Sequence, residues 1–157
     1  METDLDRIDI ALIRALQKDG RASNKELADV AGLAPSSTHG RVRRLFERGV
    51  VRGVHADVDP AAVGVGLEAF IFLRLASHSR EAVGTLWQDL CALPEVRAAY
   101  YVGGDDDILL HVLARDARHL RDLVLDRISS QSGIARVRTE LLFQQHHTME
   151  MPVFTDS

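Results

Sequence analysis

The amino-acid sequence predicts an α+β protein: a three-helix, winged helix-turn-helix head over residues 1–53, a linker or hinge strand over 54–66, and a ferredoxin-like βαββαβ domain over 67–157. Three observations predict it. Residues 5–48 hold three successive apolar patterns of helical period, broken by Gly20 and Gly32. Residues 67–143 alternate short apolar runs with two amphipathic stretches, in the order β-α-β-β-α-β. Arginine is concentrated between residues 36 and 52.

In the head, Leu5, Ile8, Leu12, Ile13 and Leu16 recur at helical spacing, with Asp6 as cap and Gly20 as stop. Ser23 and Glu26 have the capping-box spacing. Leu27, Ala28 and Val30 give the second helix a short apolar face before Gly32 ends it. A third helix opens at Ala34-Pro35, since proline suits a helix's first turn, and runs to Arg48, ahead of Gly49. Its predicted buried face is Thr38, Val42, Leu45 and Phe46. Its other face displays Ser36, Ser37, His39 and Arg43, flanked by Arg41 and Arg44. Val50–Ala56 reads as a short extended segment with a break at Gly53, suited to a wing that carries Arg52.

The hinge, 59–66, has no clear period and contains Pro60, Gly64 and Gly66. Strands are predicted at 67–75, 96–102, 108–113 and 134–143, and helices at about 79–93 and 116–129. Leu120, Leu123, Val124 and Ile128 are the buried stripe of the second of these helices. The first strand places Leu67, Ala69, Ile71, Leu73 and Leu75 on one face and Phe70 and Phe72 on the other. A ferredoxin-like sheet covers one face with its helices, so an apolar second face must be buried elsewhere. A second copy of the sheet is the economical partner, giving a two-fold homodimer.

Charge distribution narrows the function. The net charge is −4, yet residues 36–52 carry Arg41, Arg43, Arg44, Arg48 and Arg52 against Glu47 alone. A small hydrophilic N-terminal half on the third helix can approach base edges, and an arginine-rich C-terminal half can neutralise phosphates. The residues therefore predict a binder of double-stranded DNA through Ser36, Ser37, His39, Arg41, Arg43, Arg44 and Arg52. Paired heads would read two half-sites. No apolar run approaches a membrane span, and the first residues, with Glu2, Asp4 and Asp6, have no apolar h-region, so a cytoplasmic protein without membrane partners is expected. No nucleophile–base signature, P-loop or dinucleotide fingerprint is present, and no enzyme is predicted. His111, His119, His146 and His147 do not have zinc spacing, so no metal is assigned. Cys91, the single cysteine, is expected to be a packed thiol.

These residues resemble the Lrp/AsnC (leucine-responsive and asparagine-responsive, feast/famine) regulators. The resemblance rests on Leu5-Asp6-Arg7-Ile8-Asp9, Arg21 to Ala28, Gly32-Leu33, Arg41 to Leu45, Gly49-Val50-Val51 and Asp59-Pro60. Downstream, Gly104-Asp105-Asp106-Asp107 looks like the family's G-x-x-D element, and Gly133-Ile134 with Thr139 like its final strand. The likeness implies a sequence-specific transcriptional regulator with a RAM-type effector domain. It implies no cofactor but an amino-acid effector, and a nucleoid-associated dimer often assembled into tetramers or octamers. An architectural, weakly specific DNA organiser of the same fold is the alternative. The sequence departs from the family at Ala34 and Gly103, where the family has hydroxyl residues, and at Thr38 and Gly40.

The loop Val102–Asp107 has two readings. Glycine and aspartate are the usual residues of a tight turn. Glycine N–H groups can also hold a carboxylate while an aspartate holds an ammonium group. The resemblance implies the second reading, with Gly103, Gly104, Asp105, Asp107 and Thr139 as the effector site.

Overall fold

The structure, a computed structural model, describes residues 5–146, 148 and 150–154. Met1–Asp4 and His147, which entered the expectations above, lie outside the described residues. Two compact units form. One comprises residues 5–57 together with the described residues from His146 on; the other is Val58–Gln145.

The first unit is built on α1 (Arg7–Lys18), α2 (Asn24–Ala31) and α3 (Pro35–Glu47). Asp6 caps α1 by accepting from the N–H groups of Ile8 and Asp9. Ser23 and Glu26 close a capping box on α2, and Gly32 ends that helix at φ 62°, a left-handed conformation that favours glycine. Leu12, Leu27 and Leu45 form the buried centre, one from each helix. Thr38 is fully buried, and its hydroxyl donates to the carbonyl of Ala34.

Three expectations about the head are corrected. Val30, read as part of the apolar face of α2, is 57% exposed, because it stands three residues after Leu27, about 60° short of a full turn. Phe46 is 39% exposed. It stands eight residues after Thr38, which turns it roughly 80° off the buried stripe. Residues 52–58 carry no regular secondary structure and pair with no strand among the described residues, so no wing forms. A wing needs a returning strand, and this segment runs instead into a 3₁₀ turn at Ala61–Val63. Val54 is seated against the turn between α1 and α2, where a Cβ on Gly20 would lie 2.5 Å from its Cγ1.

The second unit is a four-stranded antiparallel sheet with two helices. Its elements are β1 (Leu67–Leu75), α4 (Arg80–Cys91), β2 (Val96–Tyr101), β3 (Ile108–Ala114), α5 (Ala117–Asp122) and β4 (Ile134–Leu142). Strand order is β2-β3-β1-β4. Helix α5 continues as a π-helical stretch, Leu123–Ile128, whose wider turn lets Leu123 and Ile128, five residues apart, both face inward. Gly66 admits the backbone of Arg115, whose carbonyl oxygen lies 2.1 Å from where a Cβ would stand.

One sheet face carries the core. Ala69, Ile71, Leu73 and Leu75 of β1 and Ile108, Leu110, Val112 and Ala114 of β3 pack with Leu86 and Leu90 of α4 and Leu120, Leu123 and Ile128. Cys91, expected to be packed, is exposed. Leu86 and Leu90 hold the inward row of α4, and the next residue is rotated about 100° outward. On the opposite face Phe70, Phe72, Leu109 and Leu113 are half-buried, as the two-faced apolar pattern requires. His111 and Glu68 are tucked among them, with Nε2 and Oε2 2.6 Å apart and the Phe70 ring 5.2 Å from the imidazole.

Candidate DNA interface and effector loop

Helix α3 presents one polar face. Ser36, Ser37, His39, Arg43 and Arg44 are all exposed on it. Arg43 donates from Nε to Glu47 one turn on, at 2.7 Å, an exposed pair that a phosphate can replace at little cost. Arg52 is exposed in the irregular segment beyond Gly49. Gly40 lies in the middle of the polar face, and a Cβ there would meet nothing within 4 Å. The absence of a side chain at this position is thus a property of the outer surface and not of packing.

Arg41 departs from the expected set. Its NH1 lies 2.6 Å from Asp6 Oδ2 and 2.9 Å from Asp9 Oδ1, and its side chain is only 24% exposed. The guanidinium is committed to α1, where it locks α3 in place. The same Asp6 caps α1. The N–H of Asp9, then Arg41, hold its carboxyl below the ordinary carboxylate range.

In the second unit the loop from Val102 to Asp107 joins β2 to β3. Val102 N–H donates to Asp107 O at 2.9 Å, and Asp107 N–H donates to Leu73 O at 2.8 Å. Gly104 has φ 142°, in the region that favours glycine. Gly103, Gly104 and Asp105 are exposed. The Asp107 carboxylate is occupied on both oxygens, one accepting from Leu75 N–H and one facing His78 Nε2, each at 2.8 Å. The Leu75 N–H, then His78, keep it below the usual carboxylate range. Asp107 therefore ties the loop to the end of β1. Thr139 is opposite Ile71 in the β1–β4 register and so faces the helix side of an edge strand, whereas Arg138 faces the open side.

Two further residues that sequence reasoning missed act on the loop. Arg136 and Arg138 of β4 reach Asp106 at 3.1 and 3.0 Å, and Arg138 stacks its guanidinium 4.0 Å over the Phe72 ring. Arg138, then Arg136, hold the Asp106 carboxyl below its ordinary value. The signal was present as Arg-x-Arg, a period-two spacing that puts both arginines on one strand face. Their acidic partner lies thirty residues upstream, beyond the reach of local pattern.

Comparison with known proteins decides the family. The model for the AsnC-type helix-turn-helix domain matches residues 5–45, and that for the Lrp/AsnC ligand binding domain matches residues 68–151. The chain belongs to the Lrp/AsnC family. Among curated relatives of this regulator, the HTH-type transcriptional regulator AldR of Mycolicibacterium smegmatis is 44% identical over 141 residues, covering 90% of this chain and 82% of that protein. A transcriptional regulator from Neisseria meningitidis, solved as an L-Met complex, superposes with a TM-score of 0.88 at 30% identity, covering 94% and 96% of the two chains. A feast or famine regulatory protein from M. tuberculosis complexed with L-methionine gives 0.80 at 37% identity, covering 90% and 94%. This Lrp/AsnC protein is a DNA-binding transcriptional regulator, not an enzyme. Among the described residues no helix is long and apolar enough to cross a membrane.

Proposed function

We propose that this Lrp/AsnC regulator works as a homodimer that reads two DNA half-sites with its α3 helices and binds an amino acid at the β2–β3 loop. The observation that carries the DNA assignment is the uninterrupted exposed face of α3. Ser36, Ser37 and His39 approach base edges from its N-terminal half, and Arg43, Arg44 and Arg52 contact phosphates. Arg41 positions α3. Dimerisation buries the open sheet face, where Phe70, Phe72, Leu109 and Leu113 otherwise meet water. Tetramers or octamers assemble from these dimers, and the protein acts in the cytoplasm on the nucleoid.

For the effector, the exposed N–H groups of Gly103 and Gly104 suit a carboxylate, and Asp105 suits an ammonium group. Two relatives are described with L-methionine, which supports a free amino acid as the class. Asp106 and Asp107 hold the loop's shape, and Thr139 has its place only if the assembled state brings the edge of β4 to the ligand. An effector shifts DNA affinity only through different affinity for two states of the assembly. The test is a thermal-shift screen of the twenty amino acids, followed by operator competition at physiological salt with and without the hit. A raised melting temperature and an operator preferred over random DNA by about 10³ or more are expected. Equal affinity for operator and random DNA would overturn the specific reading.

A further inference from the structure

We propose that residues 150–153, which follow β4, form a strap on α1 that limits the freedom of the DNA-binding head. The side-chain amide of Gln17 pairs with both backbone groups of Met151. Its Nε2 donates to the Met151 carbonyl at 3.3 Å, and the Met151 N–H donates to its Oε1. This is the two-bond pattern of a strand pair, made by a side chain across 134 positions of sequence. The two groups satisfy each other at an exposed position on the head.

Apolar side chains line an open groove beside the amide pair. A groove of about 1100 Å³ lies between Ala11, Ala15 and Val30 on the helices and Met151, Pro152 and Val153 on the segment. Ala11 and Ala15 are one turn apart on α1, and their small side chains leave room for a chain to lie along the helix. Val153 is partly buried, while Phe154 next to it is 91% exposed, so the inward turn is specific to one residue. Glu150 lines the same groove as Arg14 and Lys18, which adds charge of the right sign.

The strap's position defines what it can do. None of Ser36, Ser37, His39, Arg43 or Arg44 lines the groove. The segment therefore leaves the reading face open and is not a competitor of DNA. It gives the head a second attachment to the sheet unit, beyond the chain that runs through residues 54–66. Leu142, the last residue of β4, is nine residues before Met151, a reach of at most about 30 Å. A head held at two points loses less freedom when it is ordered on a half-site, and the saving appears as affinity.

This inference rests on the DNA-reading role of α3 for its affinity arm, but not for its structural arm. The experiment compares the full chain with Gln17→Leu, which keeps size and removes both hydrogen bonds, and Val153→Asp, which puts a charge on the half-buried residue of the segment. Amide exchange at Met151 and binding to a duplex with two half-sites are measured on each. In the native chain the Met151 amide is expected to exchange at least about tenfold more slowly than in a free peptide. Both variants should lose that protection and bind the duplex about 3- to 10-fold more weakly, at an unchanged salt slope, because no phosphate contact is removed. A Met151 amide that exchanges at the free-peptide rate in the native chain overturns the strap. So do variants that lose protection yet bind DNA as before, or that change the salt slope. A native chain that protects Met151 but binds no DNA refutes the reading role of α3 instead.

Discussion

Arg41 and Asp6 face each other across 2.6 Å, and this pair fixes α3 on α1. Sequence pattern places Arg41 in a run of arginines with Arg43 and Arg44, but the fold gives them different work. Arg41→Ala is expected to destabilise the head by about 1–2 kcal/mol, since it leaves Asp9, 13% exposed, without its partner. Arg44→Ala should leave the melting temperature near the native value, lower DNA affinity and reduce the salt slope by about one phosphate. Denaturant melts and salt titrations on both variants check this. A lost phosphate contact in Arg41→Ala without loss of stability would refute the division.

Gly40 and Ala34 mark two places where α3 is weaker than it need be. Gly40 meets open space at its Cβ position and has no positive φ, so Gly40→Ala should stabilise the head by about 1 kcal/mol. Ala34 is the N-cap of α3 and makes no side-chain bond, so Ala34→Ser should add about another 1 kcal/mol. Thermal melts read both. If Gly40→Ala stabilises the protein but weakens operator binding, the glycine serves close approach of the helix to DNA. A destabilised Gly40→Ala chain would show that α3 is not regular at that point.

Much of this architecture is legible in sequence because its causes are local. The cap at Asp6, the Ser23–Glu26 box, Pro35 and the glycine stops at Gly32 and Gly49 each act within one turn, and the helices fall where they predict. The strands of the second unit follow from period two and apolar runs. What was illegible depends on distance. Arg41 is one of several arginines until Asp6, thirty-five residues away, is seen beside it. Asp107 resembles a ligand group until Leu75 and His78 take up its oxygens. The absent wing is of the same kind, since an extended segment cannot announce whether a partner strand exists. Phe46 and Cys91 were misplaced because apolar character was read without the rotation of the last helical turn.

Asp107 offers a direct test of its structural role. Removing its carboxylate in Asp107→Ala leaves the Leu75 N–H without an acceptor, at a cost of about 1.5–3 kcal/mol. Asp107→Asn keeps an acceptor and should recover most of it. If Asp107 acts through loop shape, both variants weaken effector binding in proportion to their loss of stability, by calorimetry and melts on the same samples. An Asp107→Asn chain of native stability that has lost all effector affinity would make the carboxylate a direct ligand.

The acid limb of the stability curve follows from the same carboxylates. Asp6, Asp106 and Asp107 are all held below the ordinary value of 3.8 by hydrogen bonds and cationic or imidazole partners. In the unfolded chain they recover that value, so on acidification the unfolded state takes up protons first. Their contribution is therefore fully present above about pH 5 and is lost as pH falls through 3.8 towards the lower folded values. Stability should decline below that point, and near neutral pH these groups give it no pH dependence although their contribution is complete there. Asp106→Asn breaks the ionic contact with Arg136 and Arg138, so it should lower stability at pH 7 and flatten the acid limb, bringing the variant and native curves closer as pH falls below 3.8. Curves that remain parallel as pH falls well below 3.8 would show that Asp106 titrates alike in the folded and unfolded chains, and that its contact with Arg138 does not hold the β2–β3 loop.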